Sequence, residues 1–260
     1  MKIAIAMPTV GGSVYVQALT SIVSACRLFA QSGIDFSFIN VDFSEVVIAR
    51  NSVARRFLAD GSATHLLFVD YDMAFSPNAV KRIIEARKPL IGCAYPKRQM
   101  NLERIVAILS DRARDEPPDM KTAVSIASDY VIRQAPSDGK MRFAVKKGLV
   151  QVAGVGMGLT LIERRVFDAL MASGQLSVRH RDVTLDEESG PSYGFFDNIA
   201  NEDGSILSED FSFCEKWRRY CGGEVWCNVA DEIGHYGSYG FKGTFLEKLA
   251  FMGTREAEAE

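Results

Sequence analysis

The chain has 260 residues, 47% of them hydrophobic and 24% charged, with a formal net charge of −3. That size allows one large domain or two closely merged halves around a substantial core. The charge balance excludes a basic field that would hold nucleic acid by its phosphates, and no apolar stretch reaches the length of a membrane span. Cysteines at 26, 93, 214, 221 and 227, most of them in apolar periodic segments, read as the reduced thiols of a cytoplasmic protein.

Residues 2–7 read as a strand closed by Pro8-Thr9, its apolar run too short for a signal peptide. Gly11-Gly12 turns the chain into a helix with Ser13 as N-cap and Gln31 near its end. Val16, Leu19, Ile22, Val23, Cys26, Phe29 and Ala30 form its expected inner face, and Ser32-Gly33 stops it. A strand over 35–41, a helix over 45–60 with Val46, Ala49, Val53, Phe57 and Leu58 inward, and a strand over 65–69 follow. Ser76-Pro77 supplies an N-cap and a proline at the first helical position of a helix reaching about Arg87. A strand over 89–95 comes next. This alternation predicts an α/β fold with a mixed, mostly parallel sheet flanked by helices.

Residues 99–147 are less regular, with turn signals at 115–119 and 135–139, and read as an insertion or subdomain facing a substrate. Strands over 149–155 and 159–162 and a helix over 164–173 are expected beyond it, then a polar, loop-rich stretch over 180–203. A helix over 211–221 places Phe213, Cys214, Trp217, Tyr220 and Cys221 on one face, and 224–230 is the last strand. The tail from Arg255 to Glu260 has no apolar stripe and reads as frayed. The divisions are 1–98, 99–147, 148–245, and a C-terminal helix and tail over 246–260.

The chemistry gathers at Asp70-Tyr71-Asp72, which ends the apolar run Leu66-Leu67-Phe68-Val69. Alternate residues of a strand share a face, so both carboxylates can point one way at the carboxyl end of a sheet strand, where ligands bind in open parallel sheets. Paired acids there suit a hard divalent cation that clamps phosphate oxygens. A third ligand is sought among three histidines. His65 enters a strand and suits packing; His180 lies in a loop between Arg179 and Arg181; His235, between Gly234 and Gly237, which permit close backbone approach, reads either as a ligand or as an ordinary structural residue. Imidazole beside carboxylates favours Mn²⁺ over Mg²⁺.

Ser208-Glu209-Asp210 reads either as an N-cap with dipole-favoured acids or as a general base held by a rigid helix end. Arg50-Asn51 can be a phosphate contact or a surface pair. Gly154-Val155-Gly156-Met157-Gly158 is followed by a strand, which rejects a dinucleotide loop; it suits close approach to a ligand or a β-bulge. Cys214, Cys221, Cys227 and His235 lack the spacing of a zinc site.

Taken in order, six pieces resemble the GT-A glycosyltransferases, especially family 2-like members. They are Ala4 to Thr9, Ala49-Arg50-Asn51, Leu67 to Asp72 with its D-x-D, Gly154 to Phe167, Ser208-Glu209-Asp210, and Gly234-His235. The resemblance implies a Rossmann-like GT-A fold in one merged domain, with a nucleotide-sugar-binding half over 1–98 and an acceptor-binding half over 148–245. It implies a UDP- or GDP-type nucleotide-diphospho-sugar donor held by Pro8, Thr9, Arg50, Asn51, Asp70 and Tyr71, and an unknown acceptor near Gly156 and Gly158. Asp70, Asp72 and His235 are the implied metal set, with Asp210 first and Glu209 second as the base that deprotonates the acceptor hydroxyl. A phosphatase of the haloacid dehalogenase type, with Asp70 as nucleophile, and a sugar-binding module without turnover are the competing readings.

Overall fold

The structure, a computed structural model, describes residues 1–111, 118–134, 144–179, 191–201 and 203–257. His180, Arg181, the turn signal at 135–139 and most of that at 115–119 lie outside them. The chain begins β1 (Lys2–Thr9), α1 (Val16–Gln31), β2 (Asp35–Asp42), α2 (Val46–Ala59), β3 (His65–Val69), β4 (Met73–Phe75), α3 (Pro77–Glu85) and β5 (Leu90–Cys93). It continues through α4 (Leu102–Leu109), α5 (Met120–Ala127), β6 (Ile132–Arg133), β7 (Leu149–Val152), β8 (Gly154–Val155), β9 (Leu159–Glu163) and α6 (Arg164–Ala172). β10 (Val178–Arg179), β11 (Ser192–Tyr193), α7 (Glu209–Cys221), β12 (Val225–Asn228), β13 (Ile233–Tyr236), β14 (Gly240–Gly243) and α8 (Phe245–Ala257) complete it.

The main sheet has seven strands in the order β2-β1-β3-β9-β5-β12-β7. β2, β1, β3, β5 and β12 run in one direction; β9 and β7 oppose them. This is the mixed, mostly parallel α/β class expected from the alternation of elements. Strand parity divides the core: Ala4, Ala6, Leu66 and Phe68 face one apolar layer, and Ile3, Ile5, Leu67 and Val69 face the other. β3 is buried between two neighbours, so its sequence is a continuous apolar run and its end is rigidly placed.

Several expectations are corrected. α1 begins at Val16, one residue after Tyr15, and Ser13 does not cap it. Its inner face is Ala18, Ser21, Ile22, Ala25 and Phe29, leaving Val16, Leu19, Val23 and Ala30 exposed. Ser21 Oγ accepts the backbone N–H of Phe75 at 2.9 Å, so this polar residue is satisfied on the buried face. Val46, expected inward on α2, is exposed, whereas the polar Arg50, Asn51 and Ser52 are buried there. The strand expected over 149–155 breaks in two, because the Ala153 N–H donates to Arg133 O at 2.8 Å and draws the chain out of the main sheet to pair with β6. Among the described residues of 99–147 are two helices, α4 and α5, which pack with Phe251 of α8 around Ile105, Ile108 and Ile126. α8 continues to Ala257, into the segment expected to fray. No helix among the described residues is long and apolar enough to cross a membrane.

The small sheet β14-β13-β4 is absent from the sequence reading. It sets His235 opposite Met73, directly after the D-x-D turn.

Candidate functional site

The Asp70-Tyr71-Asp72 turn is pinned through its backbone. Asp70 N–H donates to Gly158 O at 3.0 Å, and Tyr71 O accepts from Tyr15 N–H at 3.0 Å. Asp72 O accepts from Tyr236 N–H at 2.9 Å, and Met73 N–H closes the turn onto Asp70 O at 3.1 Å. Three bonds to separate parts of the chain and one within the turn leave little freedom for the carboxylates' positions.

Asp70 meets Arg50 of α2 at 3.1 Å, and Arg50 also reaches Glu209 Oε1 at 3.4 Å. Arg50 is buried against the Phe68 ring. Burial opposes its charge, but Asp70 and Glu209 outweigh that and raise its pKa further. Its Nη1 is buried without a hydrogen-bond partner, an uncommon state for a guanidinium nitrogen.

Glu209 and Asp210 occupy the first turn of α7, which starts two residues earlier than expected. Ser208 stands at the N-cap position but caps no backbone N–H; its hydroxyl donates to Asp210 Oδ1. The Phe211 N–H donates to the same oxygen at 2.7 Å. Burial, reinforced by the neighbouring Glu209 charge, raises the Asp210 carboxyl to about 6 against the pull of Ser208 and Arg50. A carboxylate so placed is matched to accept a proton near neutral pH.

Asp72 is buried, and its Oδ2 lies 3.1 Å from Arg98 Nη1 and 3.4 Å from His235 Nε2. His235 Nδ1 lies 3.0 Å from Pro96 O. A carbonyl only accepts, so Nδ1 carries the hydrogen of this contact, and Nε2 is the ring nitrogen turned to Asp72. Backbone fixing of the distal nitrogen is the usual support of a metal-ligating histidine. Tyr95 packs edge-on against this ring, centroids 5.3 Å apart.

Pro8, Thr9, Arg50, Asp70, Tyr71, Asp72, Glu209 and His235 line one cleft of about 340 Å³, as do Val10, Phe43, Tyr95 and Arg98. It lies at the carboxyl ends of β1 and β3. Asp210 is one residue away but does not line it.

Two groups of expected site residues sit elsewhere. Asn51 spends both ends of its amide on the chain: Nδ2 donates to Asp197 Oδ1 and Oδ1 accepts from Phe196 N–H, each at 2.9 Å. It fixes the 195–197 loop rather than facing the cleft. At Gly156 an added Cβ would strike the Tyr95 hydroxyl, and at Gly158 it would come within 2.9 Å of the Tyr95 ring. These glycines admit Tyr95, whose hydroxyl accepts the Gly158 N–H at 3.3 Å. Arg98 and Tyr95 were not among the expected site residues, although Tyr95 ends the strand expected over 89–95 and Arg98 follows it, where ligands bind in parallel sheets.

Among the described residues no three of His, Cys, Asp and Glu gather into a ready metal cage. The structure brings Asp72 and His235 together and commits Asp70 to Arg50. The donor chemistry of that pair fits a divalent ion: two ligands each about 2.1 Å from one ion stand roughly 3.0–3.4 Å apart at angles between octahedral and tetrahedral. Cys214 and Cys227 are buried core thiols.

No protein-family model and no curated protein matches the chain. Among solved structures it is similar to A197 from STIV, at 12% identity over 91% of this chain and 86% of that one, with a TM-score of 0.48. A glycosyltransferase involved in the glycosylation of the major capsid of PBCV-1 matches at 10% identity over 66% of this chain and 64% of that one, TM-score 0.33. A 4-diphosphocytidyl-2C-methyl-D-erythritol synthase matches at 12% identity over 66% and 79%, TM-score 0.31.

Proposed function

We propose that the chain is a metal-dependent glycosyltransferase that moves a sugar from a nucleotide-diphospho-sugar to an acceptor hydroxyl. The observation that supports this most is the convergence, in one cleft, of a buried acid facing a backbone-fixed histidine, a buried arginine with an unsatisfied Nη1, and an acidic helix start.

Asp72 Oδ2 and His235 Nε2 would hold the cation, with Mn²⁺ favoured by the imidazole ligand. When bound, such an ion supplies Lewis-acid stabilisation of the departing diphosphate. The protein's own groups do the rest. Arg50 holds Asp70 in place for a donor hydroxyl. Tyr71, ring-stacked with Tyr15 at 6.2 Å, forms an aromatic wall of the cleft. Asp210, its pKa raised by burial, takes the proton of the acceptor hydroxyl; Glu209 is the second choice, its carboxylate being tied to Arg50. Asn51 acts at one remove, by fixing the loop next to α7. The phosphatase reading needs Asp70 as a free nucleophile, and here Arg50 engages it.

Thermal unfolding with UDP, GDP and dTDP, each with and without Mn²⁺, tests the proposal. A nucleotide at about 100 times its Kd raises stability by about 2.7 kcal/mol. One nucleotide is expected to do so only with metal, and Asp72→Ala is expected to abolish the effect. No metal-linked stabilisation by any of the three, or p-nitrophenyl phosphate turnover with Mg²⁺, would sink it.

A further inference from the structure

Arg98 was no part of the expected site, yet it touches the centre of it. It lies past β5 on a loop whose backbone is tied down: Lys97 N–H donates to Asp129 O at 2.7 Å, and Pro96 bridges to Tyr130. The side chain is 46% exposed, whereas that of Asp72 is 6% exposed. An anchored stem with a solvent-reaching head can swing, and the buried acid cannot. Arg98 Nη1 donates to Asp72 Oδ2 at 3.1 Å and to Tyr236 O at 3.4 Å. A Cβ at Gly237 would stand 3.1 Å from Arg98 Cδ, so this glycine leaves the side chain its path.

The carboxylate oxygen that Arg98 holds is also the one nearest His235 Nε2. A divalent ion and a guanidinium on that one oxygen repel each other at such short range, so each weakens the other's hold on it. The displaced guanidinium would still be held by its loop at the rim of the cleft, beside the site where a diphosphate would bind. Guanidinium is suited to phosphate, with which it forms charge-assisted and often bidentate bonds.

Building on the transferase reading, we infer that Arg98 is an exchangeable cation. It neutralises Asp72 until a divalent ion arrives, then moves to the diphosphate of the nucleotide as a second positive contact. The two roles have opposite signs when Arg98 is removed. Loss of the competitor tightens binding of the metal alone, and loss of the phosphate contact weakens binding of the nucleotide. A merely structural Arg98 would not divide the two affinities in this way.

The test uses Arg98→Gln and Arg98→Lys, with ligand-free melting temperatures confirming that each folds. Free Mn²⁺ is followed by electron paramagnetic resonance in a titration without nucleotide. UDP, GDP and dTDP are then titrated calorimetrically at saturating Mn²⁺. Arg98→Gln is expected to bind Mn²⁺ at least about threefold more tightly and the preferred nucleotide about tenfold more weakly, as for loss of one charge-assisted bond. Arg98→Lys is expected to fall between it and the parent. Unchanged or weaker Mn²⁺ binding in Arg98→Gln, or nucleotide affinity within twofold of the parent, overturns the inference and leaves the transferase reading standing. A parent protein that takes up Mn²⁺ but none of the three nucleotides overturns both.

Discussion

Replacing Asp210 by asparagine is expected to remove the base and yet stabilise the fold at neutral pH. Burial and the Glu209 charge raise this carboxyl from an ordinary 3.8 to about 6. Between those values the folded chain retains a proton that the unfolded chain has released. Stability therefore falls as pH rises through the window, and the cost is complete above the folded-state value. At about 1.4 kcal/mol per pKa step, that cost is on the order of 3 kcal/mol. Asparagine has no charge to bury, so its stability curve lacks this fall. Denaturant unfolding of both proteins at intervals from pH 4 to pH 7 measures the effect. The advantage of Asp210→Asn is expected to grow by about 2–3 kcal/mol across that range, on top of a constant offset for altered bonds to Ser208 and Phe211. A difference that stays level from pH 4 to pH 7 refutes the claim that burial strains Asp210. It also removes the reason for preferring Asp210 to Glu209 as the base.

Arg50→Met leaves Asp70 and Glu209 without a shared partner, so a loss of about 3–5 kcal/mol is expected in denaturant melts, together with loss of nucleotide binding. Asn51→Ala frees the Phe196 N–H and cuts the bond to Asp197; about 2–3 kcal/mol of stability is expected to go, and an unchanged melting curve would count against its loop-fixing role. Gly156→Ala drives a methyl into the Tyr95 hydroxyl and is expected to cost about 1–3 kcal/mol. Adding Tyr95→Phe should recover part of that; strict additivity in the double-mutant cycle would deny the contact.

The sequence alone determined the α/β class and the central strand before the D-x-D, because hydrophobic periodicity and helix stops are local signals written in neighbouring residues. His65–Val69 reads as a buried strand from its own five residues, and Ser76-Pro77 announces α3, with the Ser76 side chain accepting from Ala79 N–H. The same local logic misjudged α1, whose buried face meets the distant Phe75 N–H through Ser21, and it joined β7 to β8 across the break at Ala153. The D-x-D spacing nominated Asp70 and Asp72, and the resemblance added Glu209, Asp210 and His235, but neither fixed which side chains pair with Arg50 or Arg98. Only the tertiary structure decided that Arg50 claims Asp70, that Asn51 and the glycines serve packing, and that β13 carries His235 to Asp72 from 163 positions away. Side-chain partnership and burial depend on which elements meet across the sheet. Those meetings fix which carboxylate is neutralised, which is strained, and which remains for a cation, and no local pattern of residue types contains them.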